Sequence, residues 1–553
     1  MIFEVEKFVS QSYSSSPEYK EIMPGVPEKY EEIRTLEDLL LINYKHSRVD
    51  EQIRGNLVRF LKQGENPYPG IIGYDDDVIP AITRGILSGH DLLFVGQIGQ
   101  AKTKLAEVIS KNLLSHIPIV RGSLTNDIPT TIPERDLVSL IEDKEVMHYS
   151  PKFTVSKETE EDIRNNGLGT KIDWISGKDR YRYILATPDI SVKDLLGQID
   201  AIKIAKKGVE IYNIESYSPG QLLQARHGIL CIDELPVLDP RKQVALLSIL
   251  QEGKFTTGSY PVFFEPDLKI IATSNPIDYT HSGKIIEPLF DRLRSHIETR
   301  YPKRVSDEIL IIVQEIRTNN PEKIILPIFI LKIIALITIL ARKHSDINQE
   351  KGVSVRMSVH STEIIIAEAE RVRAMLYDVK TVPRLSDIHC IYQTSKFELS
   401  ELEDTNQNRI DTLNKIISNS IKIISKEYIE YLNPRQLELL KDEFQKNKKF
   451  VVSQTFVGIK DLESINNMYE NQLKNFPTLT QTIDLFSKKL EKEKDEFVKV
   501  LKRNAIPTNG ILFAEDNNLE YMYSILELIL EGLRNLDNPI LDRKERDAYE
   551  CRI

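Results

Sequence analysis

Between Gly70 and about Pro302, short apolar and often β-branched runs recur along the chain: Leu92 to Val95, Ile117 to Val120, Gly228 to Ile232 and Leu268 to Thr273. Helical patterns separate them. Alternation of that kind predicts a mostly parallel sheet wrapped by helices, an α/β core. The gap between the second and third runs is far longer than one crossover helix needs and holds a polar, Lys- and Glu-rich stretch, so an insertion is expected over about 140–185.

Residues 1–68 are polar with short helical patterns and end in the turn-rich stretch Asn66 to Gly70, which reads as a helical lead-in. The core is expected over 69–303. From 304 to 430 the pattern is almost wholly helical, as in a lid, and from 431 to 553 it stays helical but more charged. The run Lys488 to Glu496 reads as a solvated helix face with supporting ion pairs. Ile324 to Ala341 is apolar enough to raise the membrane question, but Pro327 and Lys332 interrupt it, so a buried helix is expected and no membrane partner. There is no internal repeat.

A chain of 553 residues exceeds what one core organises, so two or three globular units are expected. Apolar residues at 41% and charged residues at 28% fit a soluble globular class. The net charge of −10 denies the molecule the broad positive field on which nonspecific nucleic-acid binding relies, which argues against a nucleic-acid partner. Cys231, Cys390 and Cys551 are scattered, as suits reduced thiols in a cytosol rather than a disulfide scaffold or zinc site. The first residues lack a basic segment followed by an apolar run, so a cytoplasmic location is expected.

The chemistry concentrates where apolar runs end. Leu92 to Val95 leads into Gly96, Gly99, Gln100, Ala101, Lys102 and Thr103, followed by a helical pattern. Small residues bring backbone N–H groups to phosphates, a helix start adds partial positive charge, Lys102 reaches the β and γ phosphates, and Thr103 binds Mg²⁺. Ala101 stands where a glycine usually precedes the lysine. Alanine suits a helix-start conformation, so binding is expected to survive. A second apolar run ends in Asp233 and Glu234: the first would hold Mg²⁺ through its water shell, the second would orient and deprotonate the attacking water. A third ends in Asn275, which would sense the γ-phosphate. Arg292 would enter the nucleotide site of a neighbouring subunit. His227 and His281 lack ligand spacing and read as structural or surface residues.

In that order the motifs resemble AAA+ P-loop ATPases, and within them the magnesium-chelatase I-subunit and MoxR-like branch. The closer match rests on Pro69 to Asp76, His90 to Thr103, Ala186 to Ser191, Leu195 to Asp200, Gly352 to Ser358 and Ala367 to Arg371, and it covers roughly 50–400. The resemblance implies that Ile72 and Gly73 touch adenine, that Lys102, Thr103, Asp233, Glu234 and Asn275 take the phosphate, magnesium, metal, catalytic and sensor roles, that Arg292 is an arginine finger, and that Arg356 is a second sensor. It also implies a homo-oligomeric ring, usually a hexamer, and a hairpin near Lys254. No metal-dependent adhesion motif appears, so a von Willebrand factor A-type partner domain would lie on another chain.

The expected function is ATP hydrolysis by a ring-forming motor that remodels a partner protein, in the chelatase manner during metal or cofactor insertion. One alternative is a nucleic-acid motor or transcription activator, opposed by the acidic charge and by the lack of a GAFTGA-type loop between Lys102 and Asp233. Another is a slow ATP-dependent structural switch, for which Ala101 leaves room.

Overall fold

The computed structural model describes residues 2–142, 155–199, 217–252, 267–276, 284–400, 404–452, 462–545 and 548–552. The chain divides into two compact units, Met1–Arg300 and Tyr301–Ile553.

In the first unit the sheet is formed by β1 (Leu92–Val95), which runs into α1 (Lys102–Leu113), then β2 (Tyr181–Leu185), β3 (Ile229–Asp233) and β4 (Lys269–Ser274), and, after the short α2 (Glu287–Arg292), β5 (Ser295–Glu298). The order is β5-β1-β4-β3-β2, and every pairing is parallel. This is the α/β core of an AAA+ P-loop fold. The central strands β3 and β4 are buried along their length because helices cover both faces, which is why they read as continuous apolar runs. Side chains alternate between the two faces. Leu92 and Phe94 join Leu105, Ile109, Cys231 and Ile271 in one core, while Leu93 joins Leu230, Ile232, Ile270 and Ala272 in the other. Each such buried aliphatic or aromatic side chain contributes roughly 1.5–3 kcal/mol.

Two strand expectations change. Ile117–Val120 does not enter the parallel sheet but pairs antiparallel with Ile172–Ile175. The place beside β3 is taken by Tyr181–Leu185, the tail of the stretch expected as insertion. The apolar Ile-Pro-Ile-Val run reads as a buried strand in either sheet, whereas β2 lies at an edge with Tyr183 and Leu185 exposed, so its signal is diluted. Val49, Ile53 and Leu57, from the helix Val49–Gln63 of the lead-in, belong to the same core as Leu92 and Phe94. Between β2 and β3 a second antiparallel pair, Gly197–Ile199 with Tyr217–Pro219, interrupts the crossover. An antiparallel strand pair therefore does stand between Lys102 and Asp233, although the chain carries no GAFTGA motif there. The expected hairpin near Lys254, and His281, lie outside the described residues.

The second unit is mainly helical. Ile328–Ala341 is buried on nearly every side, as expected of a core helix, and among the described residues no helix is long and apolar enough to cross a membrane. It shares this unit with Asn406–Ile429 and Leu519–Arg534. Gly532 lies so near Ile429 that an added Cβ would come within 2.9 Å of the isoleucine Cβ. Buried charges are paired: Arg384 donates to Glu520 at 2.6 Å and Arg373 to Asp387 at 3.0 Å, so they cost less than isolated ions would. A three-stranded antiparallel sheet joins Lys449–Val451, Ala548–Cys551 and Leu541–Glu545.

Candidate nucleotide-binding site

The site lies at the carboxyl ends of β1, β3 and β4, where an open parallel sheet exposes its loops. Register sets the first contact. Val95 pairs with Ser274, so Gly96 and Asn275 leave the sheet side by side, and the Gly96 N–H donates to the Ser274 carbonyl at 3.0 Å. A Cβ on Gly96 would stand 2.0 Å from Thr299 Oγ1 and 2.2 Å from Gln100 Oε1. Packing, therefore, already demands glycine there. Thr299 Oγ1 donates to Gln100 Oε1 at 2.8 Å, fixing the buried Gln100 beneath the loop.

The loop turns through two residues of positive φ, Gly99 at 79° and Ala101 at 57°. Ala101 is thus left-handed, not in the helix-start conformation expected for it. The turn is the reason: it demands a positive φ at position 101, which glycine would adopt freely but which costs an L-residue roughly 1–2 kcal/mol. Ala101→Gly should relieve that strain, offset in part by the extra freedom of glycine in the unfolded chain. The expected net gain is about 0.5–1 kcal/mol in urea unfolding. A loss of stability would show that Ala101 does not adopt this conformation.

Beyond the turn, Lys102 folds its ammonium back over the loop, donating to the carbonyls of Gly96 and, at 3.0 Å, Gln97. Thr103 Oγ1 lies 3.4 Å from Asp233 Oδ2. Two further hydroxyls converge on the same carboxylate: Thr273 Oγ1 reaches Oδ1, and Tyr183 Oη donates to Oδ2 at 2.9 Å. Burial and the adjoining Asp233 push the Tyr183 phenol above its usual range, so it remains an O–H donor. Glu234 is left-handed, with φ 56°, and its N–H donates to Thr273 Oγ1 at 3.0 Å, so the backbone turns out of β3 at this residue. Cys231, buried under the site, has its thiol pushed up to about 12 by burial and is inert.

Of the residues singled out by sequence, Lys102, Thr103, Asp233, Glu234 and Asn275 gather at these strand ends. Ile72 and Gly73 directly precede the buried Tyr74, whose hydroxyl lies 2.8 Å from the Gln100 carbonyl and 2.7 Å from that of Arg300. Arg300 in turn grips Asp77 at 2.6 and 2.8 Å. The linker is thereby tied to the phosphate loop. Arg292 is half-buried at the last position of α2 and pairs with no acid among the described residues. Arg356 belongs to the second unit, exposed in the first turn of the helix Val355–Ala369. Tyr74, Tyr183 and Thr273 escaped sequence reasoning, because each occurs in a pattern that apolar packing alone explains.

His227, set aside as structural, is buried and joined to His46 and Asp267: its Nδ1 lies 3.0 Å and His46 Nε2 lies 3.2 Å from Asp267 Oδ2. Burial and the neighbouring Arg226 lower His227 to about 3, which keeps it neutral. Arg48 Nε stands 3.6 Å from Asp267 Oδ1 and adds an ion pair to the same carboxylate. The knot fastens the lead-in to the loop before β4.

Residues 213–298 match the family model described as the sigma-54 interaction domain. The chain is 26% identical over 139 residues to the uncharacterized protein YeaC of Bacillus subtilis, a match spanning 24% of this chain and 39% of the relative. It is 30% identical over 166 residues to the ATP-dependent protease PrkA of Bacillus subtilis, spanning 29% of this chain and 26% of that one. The chain thus spans well under half the length of both relatives. Among solved structures it is similar, at 16% identity and a TM-score of 0.30, to a complex of the magnesium-chelatase subunits BchI and BchD, covering 62% of this chain and 98% of that one.

Proposed function

We propose that this protein hydrolyses ATP with Mg²⁺ and uses the energy to remodel a partner protein, as a homo-oligomeric ring of the magnesium-chelatase or MoxR kind. The observation that carries the reading is the meeting of Thr103 Oγ1 and Asp233 Oδ2 at 3.4 Å, below a loop over which Lys102 is already bent. A hydroxyl and a carboxylate are hard oxygen donors, which suits Mg²⁺. Bound there, Mg²⁺ would neutralise charge on the β and γ phosphates.

In this reading the residues divide the work. Backbone N–H groups of the loop and the start of α1 hold the phosphates, and Lys102 exchanges its loop carbonyls for phosphate oxygens. Glu234 takes the proton of the attacking water, and Asn275, beside Gly96, orients that water. Ile72 and Gly73, anchored through Tyr74, border the base. Arg292 stabilises charge on the transferred phosphate from a neighbouring subunit, and Arg356 keeps the second-sensor role that the resemblance implies.

A second reading, a transcription activator or nucleic-acid motor, draws on the sigma-54 interaction match and on the antiparallel pairing of Gly197–Ile199 with Tyr217–Pro219. The acidic charge still weighs against it. Phosphate release by the purified chain, with Mg²⁺ and ATP, tests both. Turnover should rise with protein concentration, disappear in Lys102→Ala, and respond to a partner protein rather than to DNA. Stimulation by DNA alone would favour the second reading, and no turnover under any condition would leave a slow switch.

A further inference from the structure

We propose that Tyr183 is a positioning residue for the metal carboxylate: its hydroxyl holds Asp233 in the orientation that serves Mg²⁺. The inference rests on the ATPase reading above and extends it to a residue outside every recognised motif.

Tyr183 stands on the edge strand β2, in register with Cys231, two positions before Asp233 on β3. Its side chain spans that offset and places Oη 2.9 Å from Asp233 Oδ2. The carboxylate is therefore addressed from three elements: Thr103 at the start of α1 and Tyr183 on β2 share Oδ2, while Thr273 on β4 takes Oδ1. Thr273 alone would leave the carboxyl free to swing about its Cβ–Cγ bond. A second, charge-assisted bond on the other oxygen fixes the plane of the group. Oδ2 is then held within 3.4 Å of Thr103 Oγ1. Such outer hydrogen bonds orient metal ligands, and losing one typically costs 10–100-fold in metal affinity.

The position itself argues for this duty. Tyr183 is 45% exposed, so its ring is not spent on filling the core. An exposed edge position tolerates many residues, and the long, rigid tyrosine side chain carries a hydroxyl across to Asp233 on the neighbouring strand.

Tyr183→Phe removes one oxygen and leaves the ring. Mn²⁺ binding in the presence of ATP, followed by the loss of the free-ion electron paramagnetic signal, should require roughly ten-fold more metal than in the parent chain. ATP binding in excess chelator and the thermal midpoint should not move, and kcat at saturating Mg²⁺ should stay within about two-fold. Asp233→Asn combined with Tyr183→Phe should be no worse for Mn²⁺ than Asp233→Asn alone, since Tyr183 acts through that carboxylate. An unchanged Mn²⁺ titration in Tyr183→Phe, or a further loss in the double variant, overturns the proposal. If the parent chain itself binds neither ATP nor Mn²⁺, the ATPase reading fails, an outcome distinct from the failure of Tyr183.

Discussion

Glu234→Gln is expected to lower kcat by about 10²–10⁴-fold while leaving ATP binding nearly intact. The amide keeps the size of the side chain and asks nothing new of the left-handed backbone, whose N–H still donates to Thr273 Oγ1 at 3.0 Å. What it removes is the lone pair that accepts a proton from water. Lys102, Thr103 and Asp233 remain, so the residues proposed to hold the phosphates and the metal are kept. Steady-state phosphate release and the binding of a fluorescent ATP analogue, measured on the same preparation, check the two halves. Retained binding with lost turnover identifies a working base. Unchanged turnover would remove Glu234 from that role, and lost binding would mean that the substitution disturbed the turn out of β3.

The parts of this site that were legible in the sequence are those in which one stretch of chain contains both the scaffold and the chemistry. Leu92 to Thr103 carries strand, turn and helix start together, and β3 and β4 each end directly in their polar residues. Their strands are buried on both faces, so their apolar runs are unbroken. Harder to read were contacts made across elements. Tyr183 serves Asp233 from 50 residues away, and Tyr74 holds Gln100 through a hydroxyl that no local pattern announces. His46, His227 and Asp267 lie far apart in the chain and meet only in the fold. The strand beside β3 was missed for a related reason: an edge position removes the burial that makes a strand audible, while Ile117–Val120 has that signal and spends it in a separate two-stranded sheet. Backbone conformation was also hidden, since alanine at position 101 gave no sign that its φ would stay positive.

The larger effect is expected at Arg292. Changing it to Ala should leave ATP binding, Mg²⁺ affinity and unfolding unaltered, because the guanidinium pairs with no acid among the described residues and its helix, α2, is anchored by the buried Leu289. Turnover should nevertheless fall about 10³–10⁵-fold, the range associated with an arginine supplied to a phosphoryl-transfer site. A half-buried charge with no acidic partner among the described residues contributes little to its own unit, as expected of a group that acts on a neighbour. Mixing provides the decisive measurement. Arg292→Ala subunits keep Glu234, and Glu234→Gln subunits keep Arg292. If the arginine acts across a subunit boundary, combining these two inactive chains creates mixed boundaries with both groups present, and phosphate release reappears. If it acts within its own subunit, every chain in the mixture lacks one group and the mixture stays silent. Recovery would establish both the trans role of Arg292 and the assembly on which it depends.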